Sequence, residues 1–344
     1  MITIKKTVYY FLLFLLIIQL ACNLPVRSLP FSRPTLPDLL ANTSQEEWAG
    51  WIRRLSGAEA VTIAGEPALI TTRYNYAMFT GQSNARAFDY VLEQAATLAP
   101  HAQIEVDPYP YTDAERTYTW KNLIVTLPGK TRPHESILLT AHLDSIVTQR
   151  GNPLEAAPGA DDNATGVATL LEGLRLFPRY RFEHTIRLVF FSGEEHGLAG
   201  SRAYLQDHDT AGMVGVINLD MFGYDSNGDR CFELHVGNLP NSDIIGRSFT
   251  DTIQTFGLNL RYDYLTHGAT DRSDHAAFWE KNVSAITVVQ NFFDDKLPGG
   301  CPDVDGTPYY HKPEDTVDKL NLAYGFDISR AALLTTARLA GPLD

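Results

Sequence analysis

The chain has 344 residues, 44% of them hydrophobic, enough for one large core or two modest ones. Its formal net charge of -13 argues against a nucleic-acid partner, which would need a basic face. There is no internal repeat and no long low-complexity segment.

In chain order, residues 1–21 read as a signal peptide. Lys5 and Lys6 form a short positive region, and Val8 to Leu20 is an apolar run too short for a comfortable membrane span. Ala21-Cys22 closes it. A Cys there suggests cleavage before Cys22 and a lipid on the new N-terminus, although Gln19 stands where such sites usually carry an aliphatic residue. The expected location is extracellular or in the cell envelope, with membrane attachment through a lipidated Cys22. Residues 22–40 carry Pro25, Pro30, Pro34 and Pro37 and read as a tether. Residues 41–344 then read as a single catalytic domain.

Ser44 to Leu55 is expected as a short helix. Asn84 to Leu98 reads as an amphipathic one, with Ala87, Val91, Leu92 and Ala95 on one face. Asn122 to Leu127 is strand-like. Ser136 to His142, Thr185 to Phe191 and Val214 to Leu219 are continuously apolar, as in strands covered on both faces. Helical stretches fall at Val167 to Leu176, Ala199 to Gln206, Ser242 to Phe256, Ser284 to Val289 and Ser329 to Leu339. This alternation predicts an α/β fold, a three-layer α/β/α sandwich with a mixed, largely parallel central sheet. Ligands of such sheets bind beyond the carboxyl ends of the strands.

The polar residues of interest sit at those ends. Gly159-Ala160-Asp161-Asp162-Asn163-Ala164-Thr165-Gly166 places two adjacent carboxylates among small residues, just before a helix. Neighbouring carboxylates repel unless a cation neutralises them. The plain alternative is a turn that caps the helix. His142-Leu143-Asp144 ends the first buried strand, and the carboxylate of Asp144 can fix the tautomer of His142. Ser192-Gly193-Glu194-Glu195-His196-Gly197 follows the second. Adjacent glutamates can divide labour, one ligating a metal and one taking a proton from an attacking water. Asp220 ends the third strand after a buried run, where a carboxylate needs a partner. Arg272-Ser273-Asp274-His275 precedes an apolar helix start. Tyr309-Tyr310-His311-Lys312-Pro313-Glu314-Asp315-Thr316 supplies a late imidazole. Nitrogen and oxygen donors without thiolate suit zinc, and five such ligands suit two zincs sharing one carboxylate. Cys231 and Cys301 lack CxxC spacing, so a thiolate zinc site is not expected. In an oxidising compartment the two can pair.

These stretches, in this order, resemble the di-zinc aminopeptidases related to bacterial leucyl aminopeptidase, in the MH clan of metallopeptidases. The resemblance implies two Zn2+ per chain and peptide substrates with a free N-terminus. It implies that Asp161 bridges the metals, with His142 and Asp220 on one and Glu195 and His311 on the other. Glu194 would be general base and then acid, and Asp144 would orient His142. A cis bond would join Asp161 and Asp162. Relatives place a Tyr near the Ser-Asp-His segment, where this chain has Thr270 and His275. Tyr264, Tyr309, Tyr310, His267 and His275 are the alternatives for that oxyanion-stabilising place, and His275 and Tyr310 are the candidate substrate-binding residues. The loops Met221 to Gly228 and Asn291 to Pro308 are expected to shape the pocket for the first side chain. Three rivals share the fold: a glutaminyl-peptide cyclotransferase, a non-catalytic binding domain, and a carboxypeptidase. The last needs a basic residue for the terminal carboxylate, with Arg202, Arg261 and Arg272 as candidates.

Overall fold

A computed structural model describes residues 35–77, 83–293, 297 and 300–343. The expected signal segment, Cys22 and the first part of the proline-rich stretch lie outside them. Helices α1 (Leu36–Ala41) and α2 (Gln45–Leu55) come first. A hairpin of β1 (Val61–Ile63) and β2 (Glu66–Ala68) precedes α3 (Ser83–Leu98). Then follow β3 (Gln103–Thr112), β4 (Thr117–Leu127), β5 (Arg132–His142), α4 (Ala164–Leu176), β6 (His184–Phe191) and α5 (Ala199–Asp207). The chain continues through β7 (Met213–Leu219), β8 (Cys231–His235), α6 (Pro240–Phe256), β9 (Arg261–Leu265), α7 (His275–Glu280), β10 (Ala285–Gln290) and α8 (Leu322–Ala340). Among the described residues no helix is long and apolar enough to cross a membrane.

Eight strands form one mixed sheet in the order β3-β4-β6-β5-β7-β10-β8-β9. The inner strands β6, β5, β7 and β10 run parallel to one another; β3 pairs antiparallel with β4, β4 with β6 and β8 with β10, and β9 runs parallel to β8 at the far edge. Side chains alternate between two covered faces, which is why the inner strands are largely apolar on both. Ile137, Leu139 and Ala141 of β5 point into a large core shared with α2, α3, α4, α6 and α8. Leu138 points the other way, into a smaller core with Tyr204 and Leu205 of α5 and Phe278 of α7. The architecture is the expected three-layer sandwich.

Several local expectations change. The run read as a helix at Ser284 to Val289 is the central strand β10, buried at every position. Its β-branched Ile286, Thr287, Val288 and Val289 fit a pleated surface better than a helix. Strand β3 was not expected, because Pro108 and Pro110 argue against a strand; it lies at the sheet edge, where a missing N–H costs nothing. The tether reading ends early. Leu36–Ala41 is helical, with Leu39 buried, and the amide and hydroxyl of Thr35 both donate to the Asp38 carboxylate at 3.1 and 2.6 Å. Cys231 and Cys301 form a disulfide, their Cα atoms 5.6 Å apart.

Registration aligns the strand ends that matter. His142 pairs with Phe191, and Thr140 with Asn218, so the carboxyl ends of β5, β6 and β7 finish side by side. Helix α4 is clamped from the N-terminal side of the chain. Trp48 of α2 is fully buried, and its indole N–H donates to Thr169 Oγ1 at 3.1 Å while the ring packs on Phe222 and Phe326. Trp48→Ala is expected to cost about 3–5 kcal/mol of stability in urea unfolding; an unmoved midpoint would contradict this packing.

Candidate metal centre

Strand β5 delivers His142, whose imidazole is buried. Its Nδ1 lies 3.1 Å from the carbonyl oxygen of Asp144. A carbonyl only accepts, so Nδ1 carries a hydrogen and Nε2 is the nitrogen left to face a metal. That Nε2 faces Asp162 Oδ1 and Asp220 Oδ1, each at 3.2 Å. From the loop before α8, His311 Nε2 faces Glu195 Oε2 at 2.9 Å and Asp162 Oδ2 at 3.4 Å. Asp162 thus stands between the two imidazoles with one oxygen toward each.

Three donor triads result among the described residues, the donor atoms of each lying within 4.8 Å of one another: His142–Glu194–Glu195, and two that share Asp162, His142–Asp162–Asp220 and Asp162–Glu195–His311. The sequence reading put Asp161 in the shared position, and the structure corrects it by one residue. Asp161 turns away from the imidazoles, and its Oδ1 accepts the Gly223 amide at 2.7 Å. The cis peptide likewise joins Asp162 to Asn163, not Asp161 to Asp162. His142, Glu195, Asp220 and His311 are brought together with Asp162, and Glu194 lies beside them.

Asp144 does more than orient a histidine. Its carboxylate accepts the amides of Glu194 and Glu195, each at 3.3 Å, and lies 3.7 Å from His142 Nδ1. It ties the end of β5 to the glutamate loop after β6. Asn163 ties the other side. Its Oδ1 accepts from Gly166 and Met221 at 3.0 and 3.3 Å, and its amide donates to the Leu219 carbonyl at 2.8 Å. One residue caps α4 and locks it to the end of β7.

Two residues that the sequence did not single out hold the Asp162 loop. Asp315 accepts the amides of Asp161 and Asp162 at 2.9 and 3.1 Å. Arg73 is fully buried, and its guanidinium donates only to carbonyl oxygens: Leu143 at 2.7 Å, Leu55 at 2.9 Å, Pro158 at 2.6 Å, and Gly159 and Asp162 at 2.8 and 3.5 Å. Gly159 has a positive φ of 51°, and a Cβ there would overlap the Asp162 carbonyl. Asp315 had a signal, lying four residues after His311 in a stretch rich in site-like residues. Arg73 had none, because backbone carbonyls leave no mark in a sequence.

The electrostatics fit a cation. Burial pushes the Glu194 carboxyl well above its usual range, with Asp220 and Glu195 adding and His142 opposing. Burial and Asp162 lift Glu195 to about 7. Burial pulls the imidazoles down, but the surrounding carboxylates win: His142 rises well above its ordinary value and His311 reaches about 10. Burial would raise Asp162, yet hydrogen bonds from His142 and His311 hold it below the usual carboxylate range. Glu195 Oε1 and Asp161 Oδ2 are buried without a hydrogen-bond donor. Two nitrogens, three carboxylates, no thiolate and an orphaned ligand oxygen are a donor set that zinc fits.

A cleft opens over this cluster, lined by Asp162, Glu194, Glu195 and Asp220 together with Met221, Val289, Phe292, Phe293 and Tyr310. Tyr310 stacks on His311 at 3.7 Å. His275 does not line the cleft. It is buried, its Nε2 lies 2.8 Å from the Thr270 carbonyl, and its ring meets Trp279 edge-on. Burial lowers its pKa to about 4. Its described contacts are with Thr270 and Trp279.

Removing the Arg73 charge while keeping its bulk, by Arg73→Met, leaves several buried carbonyls without a donor. A loss of about 3–5 kcal/mol in urea unfolding is expected. Arg73→Lys should recover only part of it, since one ammonium cannot reach all five oxygens. Equal stability of the wild type and Met variant would remove Arg73 from this role.

Residues 122–335 match peptidase family M28. The chain is 31% identical over 216 residues to a probable leucine aminopeptidase of Arthroderma otae, covering 60% of this chain and 54% of that one. It therefore spans about half the length of that relative. The fold is similar to that of the Legionella pneumophila LapA aminopeptidase, with TM-score 0.66, 19% identity, and 90% and 75% of the two chains covered. It is similar also to Porphyromonas gingivalis glutaminyl cyclase, with TM-score 0.66, 17% identity, and 86% and 99% covered. At these identities the two structures speak for the fold alone. The match to the family spans 62% of the residues, since it runs from 122 to 335 of 344, and takes in all three donor triads. The chain belongs to peptidase family M28, the zinc-dependent peptidases of the MH clan.

Proposed function

We propose that the protein is an exported aminopeptidase that uses two zinc ions. The observation that carries this reading is the sharing of Asp162 between two complete donor triads. His142 and Asp220 would hold one ion, His311 and Glu195 the other, and Asp162 both. A single-metal cyclase would leave one triad unused, and a non-catalytic domain would need neither. When bound, the metals would supply Lewis acidity, polarising the scissile carbonyl and making water a stronger nucleophile at neutral pH.

The protein's own residues do the rest. Glu194 lines the cleft beside both Asp162 triads, where a carboxylate is placed to accept a proton from an attacking water. It takes the proton of the attacking water as the new C–O bond forms. It then delivers that proton to the leaving nitrogen as the C–N bond breaks. Asp144 fixes the Glu194 backbone during both transfers. The substrate's free α-ammonium is met by the carboxylate wall of the cleft. The disulfide supports export, as does the leader-like start with Cys22 as a lipid site.

Glu194→Gln is expected to lower kcat by about 10²–10⁴-fold with zinc content unchanged. Asp162→Asn should lose both metals by elemental analysis, whereas Asp161→Asn should keep them. A wild-type protein that binds one zinc and releases ammonia from N-terminal Gln peptides would be a cyclase instead.

Protons and zinc compete for the same imidazole nitrogens. His311 holds its proton up to about 10 in the polypeptide alone, so at neutral pH zinc must displace it. Zinc affinity should therefore climb as pH rises from about 6 to about 8, with protons released on binding. Calorimetry in buffers of different ionisation enthalpy measures this, and a proton count of zero would contradict the imidazole assignment.

A further inference from the structure

Of the three arginines with a possible carboxylate-binding role, two are engaged elsewhere. Arg202 pairs with Glu280 at 2.7 Å, and Arg261 donates to the Gly300 carbonyl at 3.1 Å. Arg272 lines the cleft, where it is the one basic side chain among the described lining residues. It forms no ion pair with any described residue. Its guanidinium lies over the Phe293 ring, 5.8 Å from the centroid.

A buried polar pair on β8 builds this corner. Glu233 Oε2 lies 2.9 Å from His235 Nε2, and Glu233 Oε1 accepts the Phe293 amide at 2.7 Å. His235 Nδ1 accepts the Thr270 amide at 3.1 Å, and Thr270 Oγ1 accepts the Arg272 amide at 3.2 Å. The acceptor role of Nδ1 places the ring hydrogen on Nε2, facing Glu233. One two-residue network thus anchors both the backbone of Arg272 and the aromatic platform beneath its side chain. The Arg272 side chain itself is exposed, open to whatever enters the cleft.

The chemistry of the wall is mixed. Met221, Val289, Phe292 and Phe293 suit methylene groups, and a guanidinium at their edge suits a carboxylate, which it can bind through two parallel hydrogen bonds. Among the described residues, Asp162, Glu195 and Asp220 of the cleft pair with the imidazoles, and none of the cleft acids pairs with this guanidinium. Resting on the aminopeptidase reading, we infer that Arg272 equips the pocket for the first side chain to accept acidic residues, glutamate above all. Glutamate has the methylenes for the apolar wall and the carboxylate for its edge. The same charge repels an N-terminal lysine or arginine.

The test uses zinc-loaded protein with glutamyl, leucyl and lysyl p-nitroanilides, which carry no C-terminal carboxylate. The wild type should cleave the glutamyl substrate with kcat/KM within about ten-fold of the leucyl one. Arg272→Met should lower the Glu:Leu ratio by at least about ten-fold and raise the Lys:Leu ratio, with Arg272→Lys between. Opposite movement of the two ratios is a signature that loss of packing does not produce. Unmoved ratios, or all three substrates falling together, would overturn the inference. So would an effect confined to Leu-Gly-Gly and absent from its C-terminal amide, since Arg272 would then read the far end of short peptides. Failure to release any N-terminal residue would instead sink the aminopeptidase reading itself.

Discussion

A buried guanidinium that touches no carboxylate is the constraint on which this site depends. Arg73 lies beneath a loop that must present Asp162 to two imidazoles, and it holds that loop by its carbonyls. An ion pair with Asp162 would have consumed the oxygens that the histidines face. By bonding to backbone instead, Arg73 fixes the loop and leaves both carboxylate oxygens of Asp162 directed at the site. Its charge still acts through space. Burial lowers its pKa to about 10, while Asp315, Asp162, Asp144 and Glu195 oppose that fall and keep it charged at neutral pH. Asp315 completes the arrangement by taking the two loop amides.

The remaining geometry comes from the sheet. Three parallel strands end level, and each end is followed at once by its ligand or base: His142, Glu194 with Glu195, and Asp220. Parallel pairing makes this possible, because it puts the carboxyl ends of neighbouring strands on one edge. The strand ends are then linked by short polar ties, Asp144 between the first two and Asn163 between the third and helix α4. These ties are neutral or anionic, so none brings a competing cation to the metal position.

The strand ends were legible because an apolar run that stops at a polar residue is a strong signal, and His142, Glu194, Glu195 and Asp220 all carry it. The choice between Asp161 and Asp162 was not. The two residues are chemically identical and adjacent, and which one faces the imidazoles is decided by the Gly223 amide taking the other. Nothing local encodes that contact, which spans 62 residues. Strand β10 was misread for a different reason. A six-residue run buried at every position has no period that separates strand from helix, and only its β-branched residues pointed the right way. His275 was proposed from its position next to Ser273 and Asp274, and tertiary packing turned it inward against Trp279.

Arg73 and Trp48 also say something about how the chain is divided. Both lie before residue 122, outside the segment that matches the family. Yet one secures the metal loop, and the other secures the helix that this loop begins. All five ligand positions fall within the matched segment, but the contacts that hold the central one in place come from upstream as well. The segment 122–335 therefore carries the chemistry without being a self-sufficient structure. Residues 35–77 contribute no ligand, and their part is to stiffen the ligands' support. Free energy placed there reaches the site by restricting the loop, since a carboxylate that faces two imidazoles tolerates little movement toward either.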